Sequence, residues 1–218
     1  MFIEQFYFLR LFYVIRDIHE RFVLEINFWR IGEEVNMQST KTIDVVSDET
    51  LGNIIKINNI IFRGRQNIDW KMVEIYLQKY IGMVVELSDE IIYIDKKFVE
   101  EYTGSLYTRK LRGSMAKAKA NAAQGIVEML KFAILKKTME NKKESHKKNA
   151  QKGWKYYKTR FAIPIYNEQT KEITFNVYRA TLIVRFAQNG KAYLYDMQEI
   201  KKETSNPPWT QGQVIQKS

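Results

Sequence analysis

The hydrophobic pattern changes period along this chain. Phe8, Phe12, Ile15, Ile18 and Phe22 recur at helical spacing in MFIEQFYFLRLFYVIRDIHERF, which predicts an apolar helical arm packed on the domain or on a second copy. Glu4, Arg10, Arg16 and Asp17 interrupt it before it reaches the ~20 apolar residues of a membrane span. It also lacks the basic region and small-residue cleavage site of a secretory signal. Short strands are predicted at Thr42 to Val46 and Asn53 to Phe62, around a Ser47-Asp48-Glu49 turn. Asn67 or Asp69 then opens a helix from Trp70 to about Ile81. Ser88-Asp89 breaks the pattern, Ile91 to Ile94 reads as a strand, and Asp95 caps a short helix to Tyr102.

Composition shifts at Thr103-Gly104-Ser105. The run SMAKAKANAAQGIVEMLKFAILKK reads as one long helix, with Ser114 as N-cap and a stripe of Ala116, Ala120, Ala123, Val127, Leu130 and Ile134. Gly125 would cost about 1 kcal/mol inside it, so it marks a close approach to the sheet or, alternatively, a bend. Strict alternation follows. Tyr157, Thr159, Phe161, Ile163 and Ile165 take one face, and Trp154, Tyr156, Lys158 and Arg160 the other. Pro164 suggests an edge or a strand end. Ile173 to Phe186 sends Tyr178, Ala180, Leu182, Val184 and Phe186 one way and Arg179, Thr181 and Arg185 the other. Asn189-Gly190 turns the chain into a last strand, Lys191 to Ile200.

These elements predict an α+β fold. A long Ala-rich helix packs on a C-terminal antiparallel β-meander, preceded by a small mixed α/β N-terminal region. Residues 1–103 form that region with its apolar arm, 104–203 the helix-plus-sheet domain, and 204–218, with Pro207-Pro208, a disordered tail.

Charge sharpens the picture. The chain carries a formal net charge of +10, but 106–160 holds sixteen Lys and Arg against three acids. That balance of +13 leaves the remainder at −3. Localised basicity points to an anionic partner, nucleic acid first; the alternative is a solvated Lys-rich helix. The absence of cysteine removes disulfides, Cys zinc sites and thiol nucleophiles, and fits a reducing cytoplasm. With two histidines, no metal site and no cofactor are expected.

Candidate chemistry gathers in the basic half. RNA cleavage without metal needs a base for the 2′-hydroxyl, an acid for the leaving oxygen and a cation for the phosphorane. His146, among lysines, is a candidate acid or base. Tyr156 or Tyr195 and Arg160 or Lys158 could complete the set, although a surface histidine fits the spacing equally well. His19 reads as structural. Candidate nucleic-acid contacts are Arg109, Lys110, Arg112, Lys142, Lys143, Lys147, Lys148, Trp154, Lys155, Lys158, Arg179 and Arg185, the aromatics stacking bases and the cations holding phosphates. The carboxylates of the first half read as caps and surface charge, and the FRGRQN turn at Phe62 to Asn67 is too generic to assign.

The stretches YTRKLRGSMAKAKANAAQG, HKKNAQKGWKYYKTRFAIPIY, FNVYRATLIVRF and AYLYDMQEIKKE resemble a domain of phage and mobile-element proteins of Gram-positive bacteria. That domain is similar to the barnase, EndoU, colicin and RelE-like nucleases. The resemblance covers nearly half the chain, from about Ser105 to Glu203. It implies a helix on a four-stranded antiparallel sheet with a metal-independent ribonuclease site on the sheet face. By matching motif it assigns that site to His146, Arg160 and Tyr195, with Lys110 and Tyr156. Members can lose activity and keep the fold. Two functions are therefore expected: a toxin-like endoribonuclease aimed at host RNA, or a non-catalytic phage protein. The latter would occupy a host ribonucleoprotein or immunity complex, as an anti-CRISPR-type inhibitor does. No membrane partner is expected, and a homodimer could form through the N-terminal arm.

Overall fold

The computed structural model describes residues 42–64, 67–141, 150–171 and 173–203. The chain divides into two units, Met1–Thr40 and Lys41–Ser218, and the N-terminal arm lies outside the described residues. The boundary expected near Gly104 falls inside the second unit.

Among the described residues of the first half the predicted elements form, but the strand expected to run to Phe62 ends at Ile57 and a strand at Val84–Glu86 is added. Strands β1 (Ile43–Asp48) and β2 (Gly52–Ile57) make a hairpin. Its turn is fastened by the Asp48 carboxylate, which accepts the Thr50 and Leu51 amides at 2.9 and 2.8 Å. Asp69, not Asn67, caps α1 (Trp70–Leu77), accepting from the Lys71 and Met72 amides, and a 3-10 turn (Gln78–Tyr80) extends it. Strands β3 (Val84–Glu86) and β4 (Ile91–Tyr93) follow. Asp95 caps α2 (Lys96–Gly104) and Ser105 caps α3 (Leu106–Lys110).

The long Ala-rich helix does not form as one piece. It divides into α4 (Gly113–Ala122), a 3-10 turn (Ala123–Gly125) and α5 (Ile126–Lys131). Ser114 is not the cap, because Arg112 takes that position without a side-chain bond. The break has a packing cause. A Cβ on Gly125 would lie 2.9 Å from Ile55 Cγ2 and 3.5 Å from Ile43 Cδ1, so the chain passes over β1 and β2 at a distance only glycine permits. Both expectations for Gly125, close approach and bend, hold at once. Beyond Lys131 the residues expected to continue the helix form β5 (Ile134–Met139) instead. Backbone pairing with the open edge of β6 (Trp154–Tyr166) outweighs the high helix propensity of Leu135-Lys136-Lys137.

Strands β6, β7 (Ile173–Phe186) and β8 (Ala192–Lys202) form the expected antiparallel meander. The sheet is larger than that meander and it is mixed. Its order is β1-β2-β6-β7-β8-β4-β3, with β5 also on β6. The β2–β6 and β4–β8 contacts are parallel. Strand takes 41% of the described residues and helix 29%. A long helix on a separate antiparallel meander is thus replaced by a sheet-dominated, curled mixed sheet with short helices. The N-terminal strands flank the meander on both sides because its two outer edges leave backbone donors and acceptors that must be paired.

One sheet face is covered. Tyr157, Phe161, Tyr178, Leu182, Val184, Leu194 and Met197 meet Phe98, Tyr102, Ala118, Ala122, Ile126 and Met129 in one core, as the alternation of β6 and β7 predicts. Within it lies a wholly buried ion pair. Lys119 Nζ is 2.7 Å from Asp196 Oδ1 and donates to Thr108 Oγ1 at 2.7 Å. The second Asp196 oxygen accepts from Gln198 Nε2 at 2.8 Å. Burial lowers the Lys119 pKa, and the Asp196 charge opposes that.

Candidate nucleic-acid interface

The opposite face of the meander has apolar ends and a basic middle. Ala150, Trp154, Ile183 and Tyr195, with Tyr156 against them, close one end. Ile54, Ala162, Phe175 and Val177 close the other. Two cross-strand rows lie between. Lys158 pairs with Thr181, which pairs with Gln198; Arg160 pairs with Arg179, which pairs with Lys201. Residues directly opposite on one face are close enough to act together. Lys136 and Lys137 of β5 extend the patch, with Lys137 Nζ 4.6 Å above the Tyr156 ring.

Glu199 interrupts this basic surface. The register shift between Arg179 and Thr181 bulges β8 and leaves Glu199 at φ 53, a left-handed conformation that costs a non-glycine residue about 1–2 kcal/mol. The bulge turns Ile200 into the core, where its amide donates to Tyr107 Oη at 2.8 Å, and turns Glu199 outward. Its carboxylate accepts from Thr181 Oγ1 at 2.7 Å and Lys136 Nζ at 3.0 Å. Those two bonds, Thr181 first, hold its pKa below the usual carboxylate value. Burial, and then the Glu199 charge, push the Tyr156 phenol up. A carboxylate ionised at neutral pH thus lies beside a phenol that stays protonated.

The sequence-predicted residues have separate fates. Tyr156, Lys158 and Arg179 come together on this face. Arg160 lies beside them, but its guanidinium donates to Glu203 at 2.9 Å and to the Leu51 carbonyl. Tyr195 is buried edge-on against Trp154, ring centroids 5.0 Å apart; burial raises its pKa, with the Glu101 charge adding to it. Trp154 is itself buried. Lys155 pairs with Glu90 at 3.0 Å, and Arg185 pairs with Asp95 while stacking 4.5 Å over Tyr193. Arg109 and Lys110 are exposed in the last turn of α3. Arg112 donates to the Arg109 and Leu111 carbonyls at 2.6 and 2.7 Å. These three belong to the helical layer on the covered side. His146, Lys142, Lys143, Lys147 and Lys148 lie outside the described residues.

Sequence reasoning passed over Glu199, Lys201, Lys136 and Lys137. The two β5 lysines were hidden by the helical pattern around them. Glu199 had a signal: in AYLYDMQEIKK the alternation breaks between Asp196 and Ile200, as a bulge requires.

Among the described residues, no group of three or more His, Cys, Asp or Glu is placed to hold a metal ion. No helix among them is long and apolar enough to cross a membrane. No family model, curated protein or solved structure matches the chain.

Proposed function

We propose that this protein binds RNA across the basic face of β6, β7 and β8 and cleaves it there without a metal ion. Support comes from one arrangement: Lys136, Lys158, Arg179 and Lys201 surround an ionised, conformationally strained carboxylate, Glu199, with the protonated Tyr156 beside it. Strained backbone with an exposed reactive group is a mark of functional sites. Glu199 would take the proton of a 2′-hydroxyl, whose oxygen attacks the adjacent phosphorus. The bond to the 5′-oxygen breaks, and Tyr156 protonates the leaving group. The products are a 2′,3′-cyclic phosphate and a 5′-hydroxyl. The lysines and Arg179 would hold the phosphorane charge.

The test is incubation of total RNA and transfer RNA with the protein in EDTA. Glu199→Gln and Tyr156→Phe are each expected to lose cleavage by about 10²-fold or more, with RNA affinity within a few-fold. The sign of the pH dependence follows from the lowered pKa of Glu199. The base form persists at neutral pH, so activity falls only as pH drops through a value below the ordinary carboxylate pKa. Undiminished cleavage by Glu199→Gln would refute its role as base.

The structural employment of Arg160 and the burial of Tyr195 favour a second reading, a non-catalytic phage protein that occupies a host nucleic-acid-binding complex. It predicts salt-sensitive RNA association with no fragments from the wild type in the same assay.

A further inference from the structure

A cavity of about 720 Å³ opens at the far end of the sheet, away from Glu199. It is lined by Asn58, Asn59, Arg63, Lys117, Tyr166 and Glu168, with an aliphatic floor that includes Ile165 and Ile173. Its volume falls in the range of small-molecule sites. The two cations come from positions far apart in sequence, one from the loop after β2 and one from α4. Neither has a carboxylate partner among the described residues. Two buried amides hold the loop and the helix together. Asn121, wholly buried, accepts the Ile61 and Phe62 amides at 3.0 and 3.1 Å. It donates to the Phe62 and Lys117 carbonyls, each at 2.9 Å. Gln124 donates to the Asn59 carbonyl at 2.9 Å. Burying primary amides is unfavourable unless they are hydrogen-bonded. Here their bonds fix the loop bearing Arg63 against the turn of helix bearing Lys117, which holds the two cations ready for a ligand.

We propose that this cavity binds a nucleoside phosphate. Arg63 and Lys117 take the phosphate, and the exposed Tyr166 ring with Ile165 offers an apolar platform for the base. The Asn59 amide serves the base edge, and the Glu168 carboxylate accepts from ribose hydroxyls, which explains an acid in a cavity that takes an anion. The ligand is a free nucleotide or the phosphorylated end of a strand, since both present the same group. The proposal is independent of the outer-face reading, because none of its residues belongs to the patch around Glu199.

Calorimetry with the full chain tests it, using AMP, adenosine, and a deoxyhexanucleotide with and without a 5′-phosphate. The deoxy strand has no 2′-hydroxyl and survives any ribonuclease activity. Arg63→Ala and Lys117→Ala are each expected to weaken phosphate-dependent binding by about tenfold, the effect of one charged hydrogen bond, and Lys117→Arg to restore most of it. Loss of AMP binding identifies a free nucleotide as the ligand. Loss confined to the 5′-phosphorylated hexamer identifies a strand end. Thermal melts of the same variants verify the fold, since both side chains lie at the surface. The proposal is overturned if AMP binds no better than adenosine and the 5′-phosphate adds nothing. It is equally overturned if Lys158→Ala on the outer face weakens AMP binding as much as Lys117→Ala does.

Discussion

Glu199 holds a conformation its side chain opposes, and a pair of substitutions can separate the backbone from the carboxylate. Glu199→Ala and Glu199→Gly both delete the bonds to Thr181 and Lys136. Only alanine keeps the Cβ that disfavours φ 53. Glycine is therefore expected to be more stable than alanine here by about 1 kcal/mol in urea unfolding, the reverse of their order in an ordinary strand. Equal stabilities would show that the bulge is relaxed. The ion pair with Lys136 contributes little to the comparison, because both side chains are about half exposed. Arg160 is the contrasting residue. Its sequence pattern suggested a phosphate ligand, yet its guanidinium joins β6 to the Leu51 carbonyl and to Glu203. Cation count along a strand cannot reveal such an assignment, because the partners lie 109 and 43 residues away.

At the scale of elements, legibility followed locality. Asp48, Asp69 and Asp95 were readable because a turn or cap is decided by the residue and the next three amides. The alternation of β6 and β7 was readable because one face is buried and the other is not. The break in the Ala-rich helix at Gly125 was not, since it is set by two strands more than 60 residues earlier. Gly125→Ala tests that account. Helix propensity alone favours alanine by about 1 kcal/mol. The contact at 2.9 Å with the fully buried Ile55 opposes it, and overpacking of this kind costs about 1–3 kcal/mol. Gly125 is also not helical, at φ −111, so little propensity is gained and the clash decides. Gly125→Ala should destabilise by about 1–2 kcal/mol in urea unfolding. In combination with Ile55→Ala the two losses should be less than additive, because removing the Ile55 side chain makes room for the new methyl. Strict additivity would place the cause of the helix break elsewhere.

For the whole molecule, the concentration of charge in 106–160 predicted one cationic surface, and folding disperses it. Lys119 is enclosed with Asp196, Lys155 and Arg160 meet Glu90 and Glu203, and Arg112 caps a helix. The outer face recruits Arg179 and Lys201 from beyond that segment. Among the described residues, the number of cations facing the proposed RNA is thus far below sixteen. Lys136, Lys158, Arg179 and Lys201 could neutralise about four phosphates, which for a single strand gives a slope of log affinity against log salt near −2.8. Between 50 and 200 mM salt, affinity should fall about 50-fold. Lys158→Ala or Arg179→Ala should each flatten the slope by about 0.7, whereas Arg112→Ala should leave it unchanged. A titration by fluorescence anisotropy with a short single-stranded RNA measures all three. A slope several times steeper would mean that the lysines of 142–148 join the contact, and a slope near zero would remove RNA from the outer face altogether.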